Sequence, residues 1–321
     1  MDKTYVVGID IGGQTTKIGI VDARGSVLTQ TTIRSDSHTD VKEFVKELTF
    51  SLKKLIEEVG GVKSIRGIGI GAPNGNYYTG TIENAVNLTW GGGNNVIPFA
   101  KLVSEKMNLP VALTNDANAA AVGEMTYGAA RGMKNFIMIT LGTGVGSGIV
   151  VNGEVVYGHD GFAGELGHTA AVKYNGRQCN CGKQGCLETY ASAIGVARTA
   201  REWLENSNQE SYLRDITDPI TSKDVYEAAV KGDELAIKVF EFTGKKLGES
   251  FADFVAFSAP EAIVLFGGLA RSGDLLLKPI EEAMNSNLLH LWKNKIKIIF
   301  SQLKESDAAI LGASALAWEL K

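Results

Sequence analysis

The feature that most constrains this chain is a pattern that occurs twice. Residues 6–22 read VVGIDIGGQTTKIGIVD: an apolar strand, a glycine pair, and then more β-branched residues instead of a helix. P-loops and dinucleotide fingerprints lead from their glycines into a helix N-terminus that holds phosphate. Here the glycines lead into a second strand over residues 15–21 and, past a turn at 22–25, a third over 26–33. Residues 135–156, NFIMITLGTGVGSGIVVNGEVV, repeat the order of strand, glycine turn, strand, polar turn and strand. A single glycine turn needs no more explanation than the positive φ it supplies. Two such meanders, one at the head of each half, imply a duplicated domain. Their glycine turns could face each other across a cleft and offer backbone N–H groups to one nucleotide's phosphates.

Strands and helices alternate around the meanders, which argues for an α/β protein. Residues 40–59 carry apolar side chains at helical spacing, with lysines and glutamates between them. Strands are expected at 65–71, 111–114, 262–266 and 296–300. Helices are expected at 98–107, 117–129, 188–206, 222–230, 234–257 and 307–319, and a Gly/Asn-rich loop runs from Ala72 through Asn87 to Gly93. His38, His159 and His290 show no partner pattern and read as surface or packing residues.

With 321 residues the chain can bury a full core and divide into two domains. Lys+Arg 32 against Asp+Glu 36 leaves a net charge of −4 and no basic run, so nucleic acid is not an expected partner. A strand beginning by Thr4 leaves no room for a signal segment, and no apolar run approaches the ~18 residues of a membrane span. The expected location is the cytoplasm. Three cysteines, all within residues 179–186, suit a metal site better than a disulfide framework, with free thiols or a disulfide as the alternatives. Cys179, Cys181, Cys186 and His168 make a Cys₃His set of the type that closes around zinc, although the C-x-C step is tighter than the usual spacing.

In order along the chain, Asp10-Ile-Gly-Gly13, Asn115-Asp116-Ala-Asn-Ala-Ala120, Leu141-Gly-Thr-Gly-Val-Gly146, Gly164-Glu165-Leu-Gly-His168, Cys179-x-Cys181-Gly-x-x-Gly-Cys186-x-Glu188 and Val264-Leu-Phe-Gly-Gly268 resemble the ROK sugar kinases (repressor, open reading frame, kinase). The resemblance covers essentially the whole chain. It implies an actin-like ATPase fold, hexokinase-type and ribonuclease H-like, with two α/β domains flanking a cleft and closing on a sugar and ATP. The smaller domain would be 1–116 plus a C-terminal helix at about 305–321. The larger would be 117–304, with a zinc-binding loop.

The resemblance implies that Asp116 is the general base, taking the proton from the attacking sugar hydroxyl, with N-capping by Asn115 or Asp116 as the purely structural alternative. Asp10 would orient Mg²⁺ through water. Gly12, Gly13, Thr143 and Gly144 would hold phosphate, with Gly267 and Gly268 against adenosine. Gly75, Asn87, Asn115, Asp116, Glu165, His168 and Glu188 match family sugar-binding positions, and capping of the following helix is the alternative for Glu188. The zinc would be structural, shaping the loop that carries His168 and Glu165.

The chain departs from the family pattern at Gln14, where threonine is common, and at Asn74, where glycine is. The first puts donor affinity and identity in doubt; the second preserves a turn, because Asn tolerates positive φ. The implied activity is phosphorylation of a hexose 6-hydroxyl, glucose foremost, with N-acetylglucosamine, N-acetylmannosamine, mannose or fructose as alternatives. The family also includes sugar-responsive repressors, which carry a helix-turn-helix module ahead of the first glycine turn; none fits ahead of Asp10. A chaperone-type or filament-type actin-like ATPase would lack the cysteine cluster and the Gly-Glu-x-Gly-His segment. A homodimer is expected.

Overall fold

The computed structural model describes residues 4–91 and 95–320, without the side chains at 305 and 306, so the Gly92 and Gly93 part of the predicted glycine-rich loop lies outside the described residues. The first meander is β1 (Tyr5–Ile11), β2 (Thr15–Asp22) and β3 (Val27–Arg34), followed by α1 (Val41–Glu58) and β4 (Ile65–Gly71). Then come β5 (Gly75–Asn76), β6 (Thr81–Glu83), β7 (Val96–Ile97), α2 (Phe99–Met107), β8 (Val111–Thr114) and α3 (Asp116–Tyr127). The second meander is β9 (Phe136–Leu141), β10 (Val145–Val151) and β11 (Glu154–Val155). It is followed by α4 (Glu188–Ala191), α5 (Ala193–Glu205), α6 (Ser222–Val230), α7 (Glu234–Ser258), β12 (Ala262–Phe266), α8 (Asp274–Asn287), β13 (Lys297–Phe300) and α9 (Glu305–Ala317).

The duplication read from the sequence is present in the topology. One sheet has the order β3-β2-β1-β4-β8 and the other β11-β10-β9-β12-β13. Numbered within each sheet, both run 3-2-1-4-5: an antiparallel meander extended by two parallel strands. The chain forms two compact units, Met1–Met133 with Gly148–Gly164 and Ser301–Lys321, and Lys134–Ser147 with Glu165–Phe300.

In the first unit α1 begins where the Asp40 side chain accepts from the amides of Lys42 and Glu43, satisfying N–H groups that a helix start leaves open. Its stripe of Phe44, Leu48, Leu52 and Ile56 is buried with Ile9, Ile18 and Ile70 of the sheet. Trp90, from the predicted loop, is part of that core: its ring stacks on Phe44 with centroids 4.5 Å apart. His38 is also partnered, by Glu47. On the other side of the sheet α9 lies on bare backbone. A Cβ on Gly69 would come 1.8 Å from the Ala313 carbonyl oxygen, and one on Gly8 would come 2.1 Å from that of Ile310. In the second unit Ile139 and Leu265 of the sheet are buried with Val196 of α5 and Phe240 and Phe251 of α7.

Two expectations are corrected. The predicted helix at 188–206 is two helices, because Ser192 leaves the helical region (φ −81, ψ 168) and caps α5 by accepting from the Gly195 amide. The loop after β4 contains a small sheet of order β5-β6-β7, whose two- and three-residue strands are too short to show alternation in sequence. Among the described residues no helix is long and apolar enough to cross a membrane.

Gly69→Ala should destabilise the protein by about 3 kcal/mol in denaturant unfolding, since α9 must move off the sheet to admit a methyl group. Gly142→Ala, where a Cβ meets nothing within 4 Å, should stay within about 0.5 kcal/mol of wild type.

Candidate active site

The first unit gathers two carboxylates at the carboxyl end of its parallel strands, where open α/β sheets bind ligands. The register places Asp10 beside Gly71, and Gly71 beside Thr114, so the ends of β1, β4 and β8 align. One residue past Thr114, Asn115 caps α3, its side chain accepting from the amides of Ala117 at 2.7 Å and Asn118 at 3.4 Å. Asp116 is therefore the first residue of the helix, and its Oδ1 accepts from the Ala117 amide at 2.8 Å. Of the two capping alternatives, Asn115 is the cap. A Cβ on Gly71 would come 3.6 Å from the Asp116 Cα and 3.8 Å from Asp10 Oδ1.

Crowding by protein raises the Asp116 pKa, against the pull of the Ala117 amide, although the side chain reaches solvent. Asp10 is pushed up to about 6, first by burial and then by the Asp116 charge, with Lys17 opposing. Lys17 stands directly across from Asp10 on β2. It is a member of this cluster that sequence reading missed, because only strand register reveals it. Gly12 and Gly13 form the β1–β2 turn, closed by the Gly12 amide donating to the Thr15 carbonyl at 2.9 Å. Asn87 is exposed, and its backbone carbonyl lies 2.9 Å from where a Gly13 Cβ would stand. Gly75 is buried.

In the second unit the turn between β9 and β10 presents Gly142 and Thr143 to solvent. Glu188 does not cap α4: the N-cap is Leu187, with no side-chain bond. Instead its carboxylate accepts from the Val145 amide at 3.0 Å. Gly144 has to be glycine for this, since a Cβ there would stand 2.4 Å from Glu188 Oε2. After β12, Gly267 has φ 105 and abuts the Leu141 carbonyl, so the fold itself requires it. The Cβ position of Gly268 is open, which suits a flat ligand. Glu165 is exposed and immediately precedes the short helical turn Leu166–His168.

The cysteines are free thiols, which removes the disulfide alternative. A tetrahedral ion with Zn–S bonds of ~2.3 Å holds its sulfurs about 3.8 Å apart. The Cys181 and Cys186 sulfurs are 3.7 Å apart, and Cys179 Sγ is 3.7 Å from His168 Nδ1. All four donor atoms lie within 4.8 Å of one another, so the cluster fits one closed tetrahedral metal. The tight C-x-C step is accommodated by a turn in which the Cys179 amide donates to the Lys183 carbonyl and Gly182 takes φ 91. Arg177 fastens this loop from behind, donating to the Thr189 carbonyl at 2.8 Å and pairing with Glu202 at 2.5 Å.

Asp10 holds its proton more tightly folded than unfolded. The associated stability is therefore full below about pH 3.8 and is lost as pH rises through about 6. In ligand-free protein Asp10→Asn should raise stability at about pH 7.5 by on the order of 2 kcal/mol and leave it unchanged at about pH 4, read by thermal unfolding at both.

A model of the ROK family matches residues 6–319. A glucokinase of Halalkalibacterium halodurans is 37% identical over 321 residues, 98% of this chain and 96% of that protein. A xylose repressor of Caldicellulosiruptor bescii is 29% identical over 98% of this chain and 78% of its own length. The crystal structure of a ROK family glucokinase from Streptomyces griseus in complex with glucose and AMPPNP superposes with a TM-score of 0.79 at 31% identity, covering 98% of this chain and 99% of that one. The chain belongs to the ROK family, and its repeated sheets form the actin-like ATPase fold of that family's sugar kinases.

Proposed function

We propose that this protein is a sugar kinase that transfers the γ-phosphoryl group of ATP to the 6-hydroxyl of a hexose, glucose foremost. The observation that carries the reading is Asp116: a solvent-accessible carboxylate, fixed at the start of α3 by the Asn115 cap and close to Asp10 at the end of β1. In the reaction the sugar O6 proton passes to Asp116, O6 bonds to the γ-phosphorus, and ADP leaves with the bridging oxygen's electron pair. Asp10 is assigned to a water shell around Mg²⁺, which when bound offsets phosphate charge. The backbone amides of Gly12, Gly13 and Gly144 and the Thr143 hydroxyl are assigned to phosphate, and Gly267 and Gly268 to the adenosine.

Gly75, Asn87, Asn115, Glu165, His168 and Glu188 are assigned to sugar hydroxyls. His168 can serve both this role and the cluster, because its Nδ1 faces Cys179 and the other ring nitrogen points away from it. Zinc held by His168, Cys179, Cys181 and Cys186 would fix that imidazole and take no part in the chemistry. Glucose is favoured by the glucokinases among the relatives, and the working form is read as a cytoplasmic homodimer. The second reading is a sugar-sensing regulator, favoured by the match to the xylose repressor.

Sugar-dependent ADP release over a panel of hexoses and N-acetylhexosamines separates these readings. A kinase turns over with one subset; a regulator binds sugar without turnover. Asp116→Asn should retain sugar binding in calorimetry while kcat falls by about 10³-fold or more; near wild-type turnover would remove Asp116 from its role. Freshly purified protein should carry about one zinc per chain by metal analysis. Cys186→Ser should lose it and weaken sugar binding at least about tenfold.

A further inference from the structure

Within the first unit, the loop after β4 and the segment after β11 are tied together at several points. Tyr77 and Tyr157 stack with ring centroids 4.1 Å apart and planes 2° from parallel. Tyr78 meets Tyr157 edge-on at 6.0 Å, and its hydroxyl donates to the Gly158 carbonyl at 2.9 Å. Asn76, 4% exposed, donates from Nδ2 to the Asp160 carbonyl at 2.8 Å. Its amide also abuts Gly161, where a Cβ would come to 2.5 Å.

Along the chain this clamp adjoins residues assigned to the sugar on both sides. Gly75, two residues before Tyr77, packs on the Thr114 carbonyl, from which an added Cβ would be 2.4 Å away. The Thr114 side chain is fully buried and its hydroxyl has no hydrogen-bond partner. Thr114 in turn leads directly into Asn115 and Asp116. In the other direction the chain runs from Tyr157 through the clamped Gly158–Gly161 stretch to Glu165. Offset or parallel aromatic pairs are stiff contacts, and small displacements of positioning groups are costly to binding and rate.

We propose that Tyr157 is a positioning residue for the sugar, its ring locking the Gly75 loop through Tyr77 and, through that loop, the Thr114 backbone on which Gly75 packs. The inference rests on the sugar-site assignment above but not on the phosphoryl transfer. It is tested by calorimetric titration of the full chain with the hexose found in the panel and, separately, with ADP, alongside steady-state kinetics. Tyr157→Ala should raise the hexose Kd and KM about tenfold while the ADP Kd and ATP KM stay within about twofold. Tyr157→Phe, which keeps the stack, should restore hexose affinity to within about threefold of wild type. Tyr77→Ala should reproduce the hexose loss, and the double alanine variant should be no worse than either single one.

Unchanged hexose affinity in Tyr157→Ala overturns the proposal. So does an equal loss of hexose and nucleotide affinity, which is what general destabilisation would give, and so does a Tyr157→Phe protein no better than Tyr157→Ala. Wild-type protein that binds hexose without releasing ADP would sink the kinase reading and leave this one to be decided by the same titrations. An active wild type with an unshifted Tyr157→Ala would sink this one alone.

Discussion

The parallel register of β1, β4 and β8 sets two like charges side by side, and the candidate chemistry depends on that arrangement. With Asp10 opposite Gly71 and Gly71 opposite Thr114, the carboxylates at 10 and 116 are brought into each other's field, and burial, reinforced by the Asp116 charge, pushes Asp10 up to about 6. Such a pair is costly to stability and useful for binding a cation or accepting a proton. Gly71 lies beside both: a Cβ there would press on Ala119 at 3.2 Å and touch Asp116 Cα and Asp10 Oδ1. Lys17 on the neighbouring strand offsets part of the repulsion without neutralising it.

In the second unit the corresponding constraint is one carboxylate that reaches two structures. Glu188 accepts a hydrogen bond from the turn at Val145, and its other oxygen lies 3.9 Å from Cys179 Sγ. The thiol cluster and the glycine turn are thereby held by one side chain. Arg177 provides a second hold on the cysteine loop, through Thr189 and Glu202, that involves no sulfur. Disturbing the cluster should therefore be felt at the turn before it is felt in the unit's core.

What sequence could disclose here followed from how local each feature is. The two meanders were legible because strand periodicity and glycine turns are local signals. The helix at Ser222–Val230 was placed to the residue, and its start is closed by a reciprocal cap between Thr221 and Asp224. Asp116 and the cysteine set stood out through spacing and resemblance. The break at Ser192 was hidden by helix-compatible neighbours on both sides. The Glu188–Val145 bond and the Tyr77–Tyr157 stack join residues far apart in sequence, and the Lys17–Asp10 pairing depends on the register of the first hairpin; no periodicity encodes those contacts. Trp90 looked like a loop residue for the same reason, since its burial against Phe44 belongs to the tertiary packing.

The bare glycines beneath α9 have a consequence for biosynthesis. The first sheet is among the earliest segments to emerge from the ribosome, yet the helix that seals its glycine-paved side is translated almost a full chain later. Until then that surface of Gly8 and Gly69 stays uncovered while the second sheet is made. The nascent protein therefore carries one face of its first sheet open through most of translation, the kind of exposed surface that favours aggregation until it is covered.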